Sequence, residues 1–439
     1  MRTISMGQSV LIAVIKREID RMLSRRIYFV ACIVLPLFSL FFMGTIFGDG
    51  QMENLPIGVV DGDNTVTSRQ IIRMVKVDPT FRVTQYYANE TEARTDVQKK
   101  NIYGYLSIPV GFEAKVMDGK EVALTYYYHY ALLSVGSEIH GAFQSLLKNI
   151  SVSPIVTHAV ALGVGEGEIK SFLLPVTTQN HPLFNPDMDY SVYLTHPFFF
   201  VFLQVLLLLV TTYAIGSEGK FGTSFEWLQT AGGNMLIAII GKLLPYTIIF
   251  IAMSIFANYI YFGIFDIPMD CGFWPLNLTS ALFVLSTQAL AVFLFSLFPA
   301  LSIIISVVSM VGSLGATLSG VTFPVPHMYA PVYYASYLFP VRHFIEIGQT
   351  LLYGNYGYAY MWTNVVALLL FLLLPLLLLP HLKRSLISRK YDNIELYTCC
   401  FRAGIPCDVY PLFYLNGIKR WYFFIWFAIQ LYVCSQCGT

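Results

Sequence analysis

The chain has 439 residues, 56% of them hydrophobic and only 12% charged, roughly half the charged share of an ordinary soluble domain. A water-soluble fold could not hide that much apolar surface. The net charge of +1 leaves no basic stripe for nucleic acid, so a membrane protein with membrane lipids around it and no nucleic-acid partner is expected.

In chain order, residues 1–26 come first as an amphipathic helix on the cytoplasmic side. Val10, Leu11, Val14, Ile15, Ile19, Met22 and Leu23 recur at helical spacing, while Lys16, Arg17, Asp20 and Arg21 fall on other faces. Such a helix lies along the inner membrane surface, either as an anchor on anionic lipid or as a surface that touches a partner. Residues 27–47 are the first apolar run of membrane length. No small-residue cleavage site follows Phe47, which reads as a retained signal anchor.

Residues 48–196 have ordinary polar composition and no span, the mark of an α/β extracytoplasmic domain inserted between the first and second helices. LPIGVVDGDNT reads as a strand ending in a turn, with further strands at Arg82 to Tyr87, Ile102 to Ile108 and Val122 to Tyr130. Ser68 to Val75 and Thr91 to Gln98 read as short helices, and the pattern turns helical again from Ala131 to Leu147 and around Ser153 to Leu162. Asp61 and Asp63 could suit a hard cation; a strand-end turn explains them better, and no metal site is expected.

Five further apolar runs follow, at Pro197 to Ile215, Leu243 to Phe262, Leu276 to Leu297, Leu301 to Val321 and Met361 to Pro380. The fold class is therefore an α-helical polytopic membrane protein with about six transmembrane helices, residues 197–390 forming the bundle of the second to sixth. Arg2, Lys16, Arg17, Arg21, Arg25 and Arg26 precede the first span, and Lys383, Arg384, Arg389 and Lys390 follow the last. The positive-inside rule puts both flanks in the cytoplasm, the large domain outside, and residues 216–242 inside.

That inner segment, 216–242, holds a short amphipathic helix beginning near Thr223, capped by the Thr223 hydroxyl, with Glu226 in its first turn and Trp227 after it. It is either a compact knob or an ordinary loop. Residues 318–356 carry Pro324, Pro326, Pro331 and Pro340 among many Tyr and Phe, which forbids a continuous helix. Irregular backbone at membrane depth survives only where protein or water satisfies it. The segment is expected to fold back into the outer interface, with Arg342, His343 and Glu346 near headgroup depth, as a gate or as an aromatic belt.

No GxxxxGK[ST], HExxH or GxSxG occurs, so no catalytic residue is assigned and no cofactor is expected on this chain. The tail, residues 391–439, is atypical: it is rich in Cys and aromatics, ends in Cys434-Ser-Gln-Cys437, and includes an apolar run, Trp421 to Cys434, too short for a span. It receives no function.

The order of these segments is where a resemblance emerges. The run from Glu218 through Gly222-Thr223 to Gly241-Lys242-Leu243-Leu244-Pro245, the run Leu318-Ser319-Gly320 through Phe323-Pro324 to Pro340-Val341-Arg342, and Leu183-Phe184-Asn185-Pro186 before the second span are similar to those of ABC-2 type exporter permeases. The likeness is to bacterial multidrug-type membrane subunits with a large periplasmic domain, and it spans roughly Ile15 to Arg389. It implies an inner-membrane permease that moves an amphiphilic or drug-like substrate outward, as a homodimer or with a related permease. A separate cytoplasmic ABC ATPase would use the ATP, and a periplasmic adaptor would dock outside. By the same resemblance Glu218, Thr223, Glu226 and Trp227 couple to the ATPase, and Lys16, Arg17 and Arg21 form an N-terminal interface helix. Ser319, Gly320, Phe323, Pro324, Pro340 and Arg342 would form the external gate.

Two other classes stand beside it. One is a non-transporting sensor or assembly protein whose external domain binds a ligand or partner. The other is a secondary transporter, which would need intramembrane ionisable residues, and the spans read as holding little beyond Gln204 and Gln288.

Overall fold

A computed structural model describes residues 2–48, 52–118, 122–132, 134–147, 185, 189–269, 271–354 and 357–388. The expected helix around Ser153 to Leu162, most of Leu183 to Pro186 and the whole tail 391–439 lie outside these residues.

Helix α1 (Arg2–Ser24) is followed by α2 (Arg26–Ile46), the first of five helices among the described residues that are long and apolar enough to cross a membrane. The α/β region comes next. Its elements are β1 (Leu55–Asp61), α3 (Val66–Val77), β2 (Phe81–Tyr87), α4 (Glu90–Gln98), β3 (Gly104–Ile108), α5 (Phe112–Met117) and β4 (Thr125–Tyr128), with helix α6 over residues 134–147. The strands form one sheet in the order β2-β1-β3-β4. β1 pairs parallel with β2 and β3, and β4 returns antiparallel to β3. β1 and β3 are buried almost throughout, as inner strands covered on both faces must be; the outer strands β2 and β4 alternate or are exposed.

The turn after β1 is built by its own carboxylates. Asp61 accepts hydrogen bonds from the amides of Asp63 and Asn64 and from the Ser68 hydroxyl. Asp63 accepts from the Thr65 hydroxyl and from the amides of Phe112 and Glu113, at 2.7, 2.9 and 3.0 Å. Both side chains are thus occupied by protein donors, the strand-end turn that the sequence favours, and Asp63 staples α5 to the start of α3.

The remaining long apolar helices are α7 (Ser191–Lys220), α9 (Met235–Ile264), α10 (Phe273–Leu297) and α14 (Trp362–Ile387). Between them lie the loop helix α8 (Ser224–Thr230), the shorter apolar helix α11 (Leu301–Thr317), and two helices after it, α12 (Ala330–Ser336) and α13 (Pro340–Gln349). At about 1.5 Å per residue α11 rises about 25 Å, a little less than the hydrocarbon core.

α7 runs through the middle of the bundle, against α10 and α11 along most of its length. Its buried face supplies Phe199, Phe200, Leu203, Leu207 and Ala214 to the largest apolar core. Gly216 allows close approach: a Cβ there would lie 2.6 Å from Leu301 of α11. The expectation that the spans hold little polar beyond Gln204 and Gln288 is corrected. His196 on α7 meets Asn258 on α9, which bonds to Asn277 and Ser280 on α10. These residues are buried, and helices at such depth are joined by mutually satisfied polar side chains.

Candidate functional site

At the end of the bundle where α1, α8 and the start of α9 meet, a cluster of charged side chains is buried except at its rim. It starts from a stripe on α1. Val14, Glu18, Arg21 and Arg25 recur at intervals of three to four residues, one face of a helix, and this stripe turns inward with Val10, Leu11, Ile15 and Met22 half-buried beside it. Val14 and Glu18 are each 1% exposed, whereas Ile12 and Leu23 point outward at 63% and 82%.

Two helices of the bundle supply the partners. Glu218, near the end of α7, is fully buried and receives the Arg17 guanidinium on both carboxylate oxygens, at 2.8 and 3.1 Å. Arg21 also donates to it and reaches the Ser217 hydroxyl at 3.0 Å. Lys242, about two turns into α9, places its Nζ 2.5 Å from Glu18 and 2.8 Å from Glu218. The Tyr246 hydroxyl, one turn further on, donates to the other Glu18 oxygen at 2.8 Å. Glu226 closes the edge of the cluster, 3.6 Å from Arg17, with its side chain largely in solvent.

Bases Arg17, Arg21 and Lys242 thus face acids Glu18, Glu218 and Glu226, so the cluster is neutral as a whole. Neutrality matters because charges taken out of water are tolerated only when paired and hydrogen-bonded. Burial works against the charge of Arg17, and the carboxylate of Glu218 beside it outweighs that effect, holding the guanidinium above its ordinary pKa. The bidentate Arg17–Glu218 fork is the geometry in which arginine differs most from lysine.

α8 is wired into the same cluster. The Thr223 hydroxyl does not cap the helix, contrary to the sequence expectation; it donates to Glu218. A carboxylate is a stronger acceptor target than the competing local geometry, since hydrogen bonds to an ionised group are about twice as strong as neutral ones. Trp227 is buried at 1% exposure, its ring 5.1 Å from the Lys242 ammonium. Phe225 and Glu226 point the other way and are exposed. Gly232 and Gly233 turn the chain into α9 with φ of 62° and 77°, a conformation glycine adopts without steric cost. Lys383 of α14 donates to the Gly233 carbonyl at 2.6 Å.

Of the residues singled out in the sequence, Glu218, Thr223, Arg17 and Arg21 are brought together, Glu226 sits at the rim and Trp227 beneath. Lys16 lies on the exposed face of α1, apart from them. Glu18, Lys242 and Tyr246 were not anticipated. The signal was present: an acid in an amphipathic helix and a lysine in an apolar run each demand a counter-charge.

Residues 318–354 form a second assembly at the other end of α11. Ser319 is buried, donating to the Ala316 carbonyl and accepting from the Val321 amide. Gly320 turns with φ of 91°. Phe323 is exposed, and Pro324 precedes a single 3-10 turn. Pro340 opens α13, where its missing N–H is no loss. Arg342 and His343 are buried at 2% and 1%. Arg342 pairs with Glu346 at 3.2 Å and lies 3.7 Å over the Tyr337 ring; His343 bonds to Asn364 and to the Tyr337 carbonyl.

Fold and cluster together define a multi-pass membrane protein in which one short loop helix is ionically joined to the helix bundle. The sequence profile of the ABC-2 family transporter proteins matches residues 26–379, and the chain belongs to that family. Its members are membrane transport subunits, not catalysts themselves, and they imply an ABC ATPase partner. No curated protein matches the chain.

Proposed function

We propose that the protein is the permease of an ATP-driven exporter in the bacterial inner membrane, with α1 and α8 cytoplasmic and the α/β domain outside. A separate ABC ATPase would hydrolyse the ATP, and a second copy or a related permease would complete the pathway. The observation that carries this reading is the shared carboxylate of Glu218. Through it a push on α8 is felt at once by α1, via Arg17 and Arg21, by α9, via Lys242, and by α7, which bears Glu218 itself.

The face offered to the ATPase is Phe225 with Glu226, and Trp227 anchors that face from below. ATP binding would then favour one arrangement of the paired permeases through its differential affinity for α8. The core of the bundle is aromatic and aliphatic, with Phe200, Phe283 and Phe344 packed tilted or edge-on at ring-centroid distances of 4.3 to 5.8 Å, and a pathway of the same composition between two permeases would suit an amphiphilic, drug-like cargo. The polar α/β domain is a docking surface for a periplasmic adaptor.

The test is capture and stimulation of the partner ATPase by the full chain in membranes. Glu226→Lys is expected to lower the stimulation while leaving the permease folded; unchanged stimulation removes the assigned role of α8. Labelling of a cysteine at position 226 from the outer side alone would overturn the orientation.

A further inference from the structure

The charge cluster and residues 318–354 lie at opposite ends of the bundle, and α7 touches both. Near its middle α7 carries Gln204, which is fully buried. Its Oε1 accepts a hydrogen bond of 3.0 Å from the backbone N–H of Val341. Val341 is the second residue of α13, after Pro340, so it offers the first of the amides that a helix N-terminus leaves without an internal partner. Gln204 therefore caps α13 from another helix.

The contact is shaped around that one side chain. Gly315 on α11 stands where a Cβ would lie 2.5 Å from Gln204 Nε2 and 3.1 Å from the Phe339 ring; any larger residue would push the amide off α13. The Nε2 group has no acceptor among the described residues. An amide half satisfied at such depth is costly, and it leaves the joint with a spare donor for a second arrangement. Fourteen residues further along α7, about 21 Å at about 1.5 Å per residue, Glu218 sits at the centre of the charge cluster. A continuous helix of that length moves as a rod.

Resting on the exporter reading, we propose that Gln204 is a positioning residue of the gate, the joint through which α7 carries a displacement at the charge cluster to the N-terminus of α13. The tie through Val341 makes the start of α13 follow α7, while Asn364 holds the same helix through His343. Movement of α7 relative to α14 then turns α13.

The test uses the full chain alone in lipid nanodiscs, with amide hydrogen exchange over residues 341–345 as the readout, so it needs neither cargo nor ATPase. Gln204→Leu is expected to speed exchange there by roughly five- to tenfold, the fold-change of about one net hydrogen bond. Gln204→Glu, which keeps an acceptor oxygen, is expected to restore slow exchange. The decisive comparison loosens the distant cluster with Arg17→Gln. Exchange in 341–345 should respond when Gln204 is present and not respond in the Gln204→Leu background. An equal response in both backgrounds, or none with Gln204 present, overturns the proposal. Should Gln204→Leu fail to fold, Gly315→Ala provides the same displacement of the amide and the same two outcomes. Loss of ATPase capture would defeat the exporter reading and leave this result standing.

Discussion

Lys242 on α9 and Glu18 on α1 form a buried ion pair of 2.5 Å across 224 residues of sequence. The amphipathic helix is thereby fixed to the bundle by its charged stripe together with Val14, while Ile12, Ile19 and Leu23 face outward.

Removing one member of this pair strands the other in a dry site. Lys242→Met and Glu18→Gln are each expected to cost about 3–5 kcal/mol, read as a lowered thermal midpoint in detergent. The double variant should lose clearly less than the sum, because residues in one network do not act independently. Strict additivity would show that the pair is not coupled.

Trp227 and Phe225 are two residues apart and face opposite ways, so their truncations should separate stability from partner binding. Trp227→Ala leaves a cavity and is expected to destabilise by about 3–5 kcal/mol. Phe225→Ala should leave the thermal midpoint nearly unchanged while weakening capture of the ATPase. Equal effects of the two on stability would contradict the burial pattern.

Gly241 is the seat of α1. A Cβ there would lie 2.9 Å from Val14 and 3.3 Å from Leu11. Gly241→Ala is expected to lift α1 from α9 at about 1–3 kcal/mol, the range for overpacking a close contact. Limited proteolysis within residues 10–25 should accelerate, and Gly219→Ala, where nothing approaches the added methyl, should not share the effect.

Asp63 supplies a pH dependence to the α/β region. Slight desolvation pushes its pKa up, but the hydrogen bonds from Thr65, Glu113 and Phe112 prevail and hold it below the ordinary carboxylate value. The folded state therefore binds the proton more weakly than the unfolded one. Its stabilising contribution is present above the ordinary value and fades as pH falls toward the lowered one. Asp63→Asn should unfold more easily at neutral pH, with a smaller further loss on acidification; an unchanged acid slope would count against the turn's role.

The strands of the α/β region and its helices α3 and α4 were readable because each carries its own signal, whereas α5, six residues long, was not. β1 reads as an apolar run broken at Asp61, α4 as a polar stretch after Asn89, whose side chain caps it. Spans were readable for the same reason, although α11 stops at Thr317 rather than Val321, where Ser319 and Gly320 turn the chain. The charge cluster was only half legible. Arg17, Arg21 and Glu218 stand out as charges beside apolar runs, but which of them meet depends on how α1 rolls about its axis. That roll is set by Lys242 and Gly241, far along the chain. Thr223 misled for a related reason: its local capping signal lost to an acceptor supplied by tertiary structure.

The neutrality of the cluster also bears on how the molecule is made. Arg17 and Glu18 leave the ribosome long before Lys242 does: Arg17 and Arg21 can meet Glu218 once α7 is made, but Glu18 has no counter-charge until α9 follows. The third hydrophobic segment thus completes the docking of the N-terminal helix, and a chain truncated ahead of it carries an acid without its buried lysine.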